Sequence, residues 1–320
     1  MDLGITMLLA AFAGGLFGAA IGGLPAFIFT GFVVLAGSAA AASGSDFDFI
    51  NNVAFGPLFG PHISFSGGAA AAAFAARRGE LGDGKDIAAP VTGVNDPLAL
   101  IVGGLFGVGG LIVNQLLALV TPFGESGFFY ANYTDTIALT VFISGIAARL
   151  MFGRTGLFGS LSPEQRQRGR LAAPEGEAVW LDYQQGFLQS VVLGLGTGLF
   201  SAWIVVAFSE AGSEAIAAAA VLGWGISAAS LILLQIGFSC PVTHHMTLPA
   251  GVAAVAVLVG FGGSSAFAMI AGAAAGIGGA LLGELFSRLF LIHGDTHVDP
   301  PAAAIAGMAT VIIVVSLPFI

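Results

Sequence analysis

At 320 residues, 57% of them hydrophobic and 8% charged, with a net charge of −9, the chain falls far below the roughly 25% charged content of soluble domains. This excludes an ordinary soluble domain, and the shortage of basic residues excludes a nucleic-acid-binding face. A mean hydropathy of +0.96 predicts an all-α polytopic membrane protein with the lipid bilayer as its solvent, and at ~20 residues per span the length allows about ten spans.

In chain order, the amino terminus carries Asp2 and no basic run, so the first apolar segment is expected to be retained rather than cleaved. A single cysteine, Cys240, leaves no internal disulfide. Apolar runs between polar and Gly/Pro punctuation predict spans at roughly 4–23, 25–43, 60–77, 97–120, 134–152, 184–208, 214–236, 241–260, 265–288 and 301–319. Basic residues in short loops stay cytoplasmic. With both termini outside, Arg77, Arg78, Lys85, Arg149, Arg154, Arg166, Arg168, Arg170 and Arg288 all fall inside, while Asp46, Asp48, Glu125, Glu210 and Glu214 fall outside. The expected location is the cell (plasma) membrane, multi-pass.

The predicted fourth and ninth spans share a pattern, IVGGLFGVGGLI from Ile101 and IAGAAAGIGGAL from Ile270. Upstream of each lies a proline-bearing polar element, GPHISFSGG (Gly60 to Gly68) and CPVTHHMTLPAG (Cys240 to Gly251), and downstream an aspartate, Asp135 or Asp299, opens the last span. This order predicts two five-helix repeats, 1–152 and 184–320, joined by a polar cytoplasmic linker, 153–183. Because five is odd, the second repeat is inverted relative to the first. Such a plan places a site near the midplane where the repeats meet. It is similar to the plan of urea transporters and ammonium channels, a similarity of architecture that covers no assigned residue.

Pro61 suits the first turn of a helix, and residues 52–60 would reach it as irregular backbone inside the membrane, tolerated only where protein or a wet cavity surrounds it. Pro241 would do the same from the opposite face. The expected substrate-binding set is then Pro61, His62, Ser64 and Ser66 from one unit, with Pro241, Thr243, His244, His245 and Thr247 from the other. Helix starts favour anions and electron-rich oxygens, and imidazole and hydroxyl groups hydrogen-bond without fixed charge. The alternative is that Pro61 opens a full-length span at the headgroups, with the serines bonded to their own helix.

Asn114, Gln115 and Glu284 are weaker candidates for a path or a coupling group, and Arg288 sits at i,i+4 from Glu284 as an ion-pair partner. The string HGDTHVD offers His293, Asp295, His297 and Asp299 as metal ligands, in no recognised spacing, while Asp299 before Pro300 and Pro301 reads as a helix cap. Gly14, Gly18, Gly22 and the pairs Gly103/Gly107, Gly194/Gly198, Gly272/Gly276 and Gly279/Gly283 form small-residue faces for helix packing or for a second copy of the chain. No phosphate loop, nucleophile elbow or dinucleotide fingerprint occurs.

The sequence thus points to a transporter or channel for a small polar or anionic solute, with no cofactor and with coupling to protons or sodium. Its rivals are a membrane-embedded metal-dependent enzyme built on His293 to Asp299 and a non-transporting assembly subunit.

Overall fold

The computed structural model describes residues 3–120, 133–172, 179–209 and 213–316. Glu125 and Glu210, expected outside, lie beyond the described residues, as does the side chain of Glu214.

Among the described residues the regular structure is helical, with α1 (Ile5–Ile21), α2 (Gly23–Ala42), α3 (Ser64–Arg78), α4 (Pro97–Ala118), α5 (Thr136–Phe152), α6 (Pro163–Arg168), α7 (Phe187–Ala207), α8 (Ser213–Gln235), α9 (His244–Val255), α10 (Ser265–Phe286) and α11 (Pro300–Ser316). Single π-helical turns stand at Ile50–Ala54, Ala256–Gly260 and Ser287–Leu291. Five of the helices (α2, α4, α7, α8 and α10 with its π turn) are long and apolar enough to cross a membrane; α1, α5, α9 and α11 are apolar but shorter.

Local chemistry sets the helix starts. Asp96 accepts from Leu98 N–H at 2.9 Å with Pro97 at the first position of α4, and Ser162 accepts from Gln165 N–H at 3.1 Å with Pro163 opening α6. Both are side-chain caps on otherwise unpaired amides. Asp135 caps α5 through Ala138 N–H at 2.8 Å, and Asp299 caps α11 through Ala302 N–H at 2.7 Å. Two expected starts shift inward. Pro61 to Ile63 form turns ahead of α3, and Cys240 to Thr243 are irregular ahead of α9, so neither proline stands inside its helix.

Packing follows the small residues. α1 lies on α4 and α7 on α10, in both cases through backbone contact. A Cβ placed on Gly15 would come within 2.3 Å of Gly103 O and one on Gly107 within 2.3 Å of Ala11 O. In the other pair the same test gives 2.6 Å from Gly198 to Gly272 O and 2.4 Å from Gly276 to Gly194 O. Without water to drive association, such close van der Waals fit is what holds helices together in lipid. The glycine faces read from the sequence are therefore occupied within the chain.

Two further pairs join the front and back of the sequence, α2 with α8 and α5 with α11. In the first, Gly31 abuts Ala228 and Ala229, Gly225 abuts Val34, and Ser38 Oγ donates to Ala218 O at 3.4 Å. In the second, Thr134 Oγ1 donates to Ala306 O at 2.8 Å while Gly145 abuts Val298. Numbers rise on one helix as they fall on the other, so both pairs run antiparallel.

Candidate functional site

The two irregular segments ahead of α3 and α9 are buried, so their backbone polar groups need partners. Thr30 Oγ1 and Ser64 Oγ both donate to Phe59 O, at 2.7 and 3.1 Å, and Ser66 Oγ donates to Pro61 O at 3.3 Å. On the other side Gln184 clamps Val242 in both directions: its Nε2 donates to Val242 O and its Oε1 accepts from Val242 N–H, each at 2.9 Å. Tyr183 adds a bond from its hydroxyl to Cys240 O at 2.8 Å. Thr243 and Thr247 bond to Ser227 of α8 at 3.0 and 3.2 Å. The serines and threonines expected to bind solute thus have partners within the protein, and Tyr183 and Gln184, not singled out from the sequence, hold the second segment in place.

His62 and His245 occupy matching positions. Pro249 brings no N–H to the carbonyl of His245, four residues back, and Ser66 N–H bonds to Pro61 O at 3.0 Å, one residue before His62. Each histidine carbonyl turns instead to a glycine of the next helix, where an added Cβ would come within 1.7 Å (Gly110, facing His62 O) or 2.1 Å (Gly279, facing His245 O). A glycine Cα–H against a carbonyl is a recurring weak contact between close helices. The His62 ring folds back over Gly60, and the His245 ring stacks between Trp180 at 5.8 Å and Gly283. His62 Nδ1 and both His245 nitrogens are buried without a partner. Pro61 and His244, in contrast, line a cavity.

That cavity, of about 620 Å³, lies between the front and back halves, bounded by α2, α3 and α5 on one side and α8, α9 and α11 on the other. Its walls repeat: Phe65 of α3 faces it as Leu248 of α9 does, Asp135 and Ala138 of α5 as Asp299 and Ala302 of α11 do. Phe27 of α2 lines the cavity, 5.8 Å from Phe65, 5.2 Å from Trp224 and 4.7 Å from His244, ring to ring. The register of α5 on α11 sets Asp299 level with about Ser144, nine residues or ~14 Å along the axis from Asp135. Two capped helix starts therefore project into one chamber, a role the sequence had given to Pro61 and Pro241.

The remaining candidates divide. His297 Nε2 meets Asp299 Oδ1 at 3.1 Å on the cavity wall. His293 and Asp295 point elsewhere, to the linker: His293 Nε2 lies 3.4 Å from Arg170 O, and Asp295 accepts from Arg154 N–H at 2.6 Å and Thr155 Oγ1 at 2.7 Å. Burial pushes the Asp295 carboxyl up, but these bonds and the nearby Arg149 charge outweigh it and hold the group below the usual range. Among the described residues no group of three or more His, Cys, Asp or Glu could hold a metal. Glu284 pairs with Arg288 at 2.7 Å, as the i,i+4 spacing predicts. Asn114 and Gln115 are half-buried on α4, away from the cavity, and Asn114 Oδ1 has no partner.

The sequence places Arg149 at the cytoplasmic end of the predicted fifth span. It is 1% exposed, anchoring the segment ahead of α11 through Thr296 Oγ1 at 3.0 Å, and through the carbonyls of Leu157, Phe290 and Thr296.

No curated protein and no solved structure matches the chain. One family model covers it from residue 1 to residue 319, and by that match the chain belongs to the family of unknown function DUF7973.

Proposed function

We propose that the chain is a plasma-membrane transporter or channel for a small polar solute, made of ten membrane helices in two inverted five-helix units, 1–152 and 184–320, with the cavity between them as its site. Linker 153–183 lies in the cytoplasm and both termini outside. Matching contacts support the duplication, with α1–α4 answering α7–α10 and the His62–Gly110 contact answering His245–Gly279. The antiparallel course of the equivalent helices α2 and α8, and of α5 and α11, supports inversion, because a two-fold axis in the membrane plane reverses each helix it relates. The observation that carries the reading is the shared cavity, whose volume falls in the usual range for a small-molecule site. Asp135, Asp299 and His297 on its wall offer protons or sodium ions groups to couple through. The carboxylates argue against the anionic alternative. The enzyme reading has no comparable support, since His293 and Asp295 are engaged with the linker.

The test uses single cysteines at Ala138 and Ala302 in a Cys240→Ser background, reconstituted in liposomes. Both positions are expected to react with a water-soluble, membrane-impermeant thiosulfonate, one from each side, while a cysteine at lipid-facing Leu195 does not. Two unreactive cavity positions would overturn a translocation path.

A further inference from the structure

We propose that the cavity selects an organic cation: a monovalent ammonium-type group facing one of the two helix-start carboxylates, Asp135 or Asp299, carried on an apolar body that the aromatic wall covers. The inference rests on the proposed role of the cavity and narrows its solute. Three observations point the same way. Among the described residues three carboxylates, Asp83, Asp135 and Asp299, line the space against one cation, Lys85, which stands 4.0 Å from Asp83. Five aromatic rings, Phe27, Phe55, Phe65, Trp180 and Trp224, present π faces or edges to the same volume, and desolvated cations bind such faces favourably. His244, 6% exposed and on the cavity wall, has a buried Nδ1 without a partner; a buried polar atom left unpaired is costly, and a polar group of the solute would satisfy it. The caps are already filled, because Asp135 and Asp299 each accept their own helix N–H. The positive ends of α5 and α11 are thereby neutralised, which removes the feature that would draw an anion.

The test measures equilibrium binding to the purified full chain with three probes of one shape: phenyltrimethylammonium, its uncharged isostere tert-butylbenzene, and benzenesulfonate. The cation is expected to bind saturably and at least tenfold more tightly than the other two. Asp135→Asn and Asp299→Asn keep the helix caps, since asparagine caps as well as aspartate, and the one of the two that faces the cation is expected to weaken its binding tenfold or more; Trp224→Leu is expected to weaken it at least threefold. Size-exclusion profiles and thermal midpoints check that the variants fold. Benzenesulfonate binding as tightly as the cation, unchanged affinity in both folded asparagine variants, or no saturable binding of any probe would each overturn the proposal. Liposome flux separates the two levels: a cation that binds but is not moved leaves this inference standing and defeats transport, whereas flux of an uncharged or anionic solute without cation binding does the reverse.

Discussion

Arg149 Nε donates to Thr296 Oγ1 at 3.0 Å across 147 positions of sequence, joining the end of α5 to the segment that leads into α11. The guanidinium's other bonds go to main-chain carbonyls. Removing it leaves several buried acceptors unpaired, each worth about 1–3 kcal/mol. Arg149→Ala is expected to lower stability by about 2–4 kcal/mol. Arg149→Lys should recover only part of this, because an ammonium cannot reproduce the planar fork. Thermal unfolding in detergent measures both; a midpoint unchanged in Arg149→Ala would show that the anchor carries no load.

Glycines of one helix should differ sharply in tolerance. Gly110→Ala drives a methyl into His62 O and Gly279→Ala one into His245 O, both against backbone that cannot rotate away. Overpacking of this kind costs about 1–3 kcal/mol or more. Gly109, next to Gly110 on α4, has nothing within 4 Å of an added Cβ, and Gly109→Ala is expected to be neutral or to stabilise by up to about 1 kcal/mol through helix propensity. Monodispersity and melting temperature of the three variants decide it.

The pH dependence of stability should carry a signature of His293. Burial lowers its pKa first, nearby Arg170 and Lys85 add to the effect, and the Arg170 carbonyl opposes it. Its pKa in the folded state lies below 6.5, so the unfolded chain takes up the proton at higher pH than the folded one. Stability is then full above pH 6.5 and is lost as pH falls from there through the folded pKa. His293→Gln is expected to flatten that part of the curve. A variant as pH-sensitive as the wild type between pH 7 and 5 would assign the effect to other groups.

Orientation is directly measurable. In the Cys240→Ser background, cysteines at exposed Gly82 and Glu164 are expected to label only from the cytoplasmic side of right-side-out or inverted vesicles, and one at half-buried Ser45, in the turn after α2, only from the outer side. Labelling of Ser45→Cys and Gly82→Cys from the same side would contradict an odd number of crossings between them.

Much of the helical plan was legible because its signals are local. Asp135 and Asp299 announced the starts of α5 and α11 by cap chemistry, and the shared pattern from Ile101 and Ile270 marked the two helices that pack against α1 and α7. The site was legible only in part. Pro61 and His244 line the cavity, yet His62 and His245, with the same chemistry and nearly the same address, face away from it. The difference is rotational: neighbouring residues at a helix start point in different directions, and no sequence period fixes the phase of a helix buried on all sides. Nothing in the sequence sets Phe27 and Trp224 apart from the other aromatics of the apolar runs. Arg149 read as a charge at the end of a span because most of its acceptors lie 141 to 147 residues away, and a backbone acceptor leaves no trace in side-chain identity.

At their closest approaches, Gly15 on Gly103 and Gly198 on Gly272, the seams between α1 and α4 and between α7 and α10 bring main chain against main chain, with no rotamers to exchange. Such contacts cannot absorb a shear without opening a gap, so each pair behaves as one stiff slab. Any rocking of one half on the other has to be taken up where side chains interdigitate, along Val34 and Gly225 or Thr134 and Ala306. The helices that meet there, α2 with α8 and α5 with α11, also line the chamber, and on the transport reading proposed above a slip between them would change which face of the bilayer it opens toward.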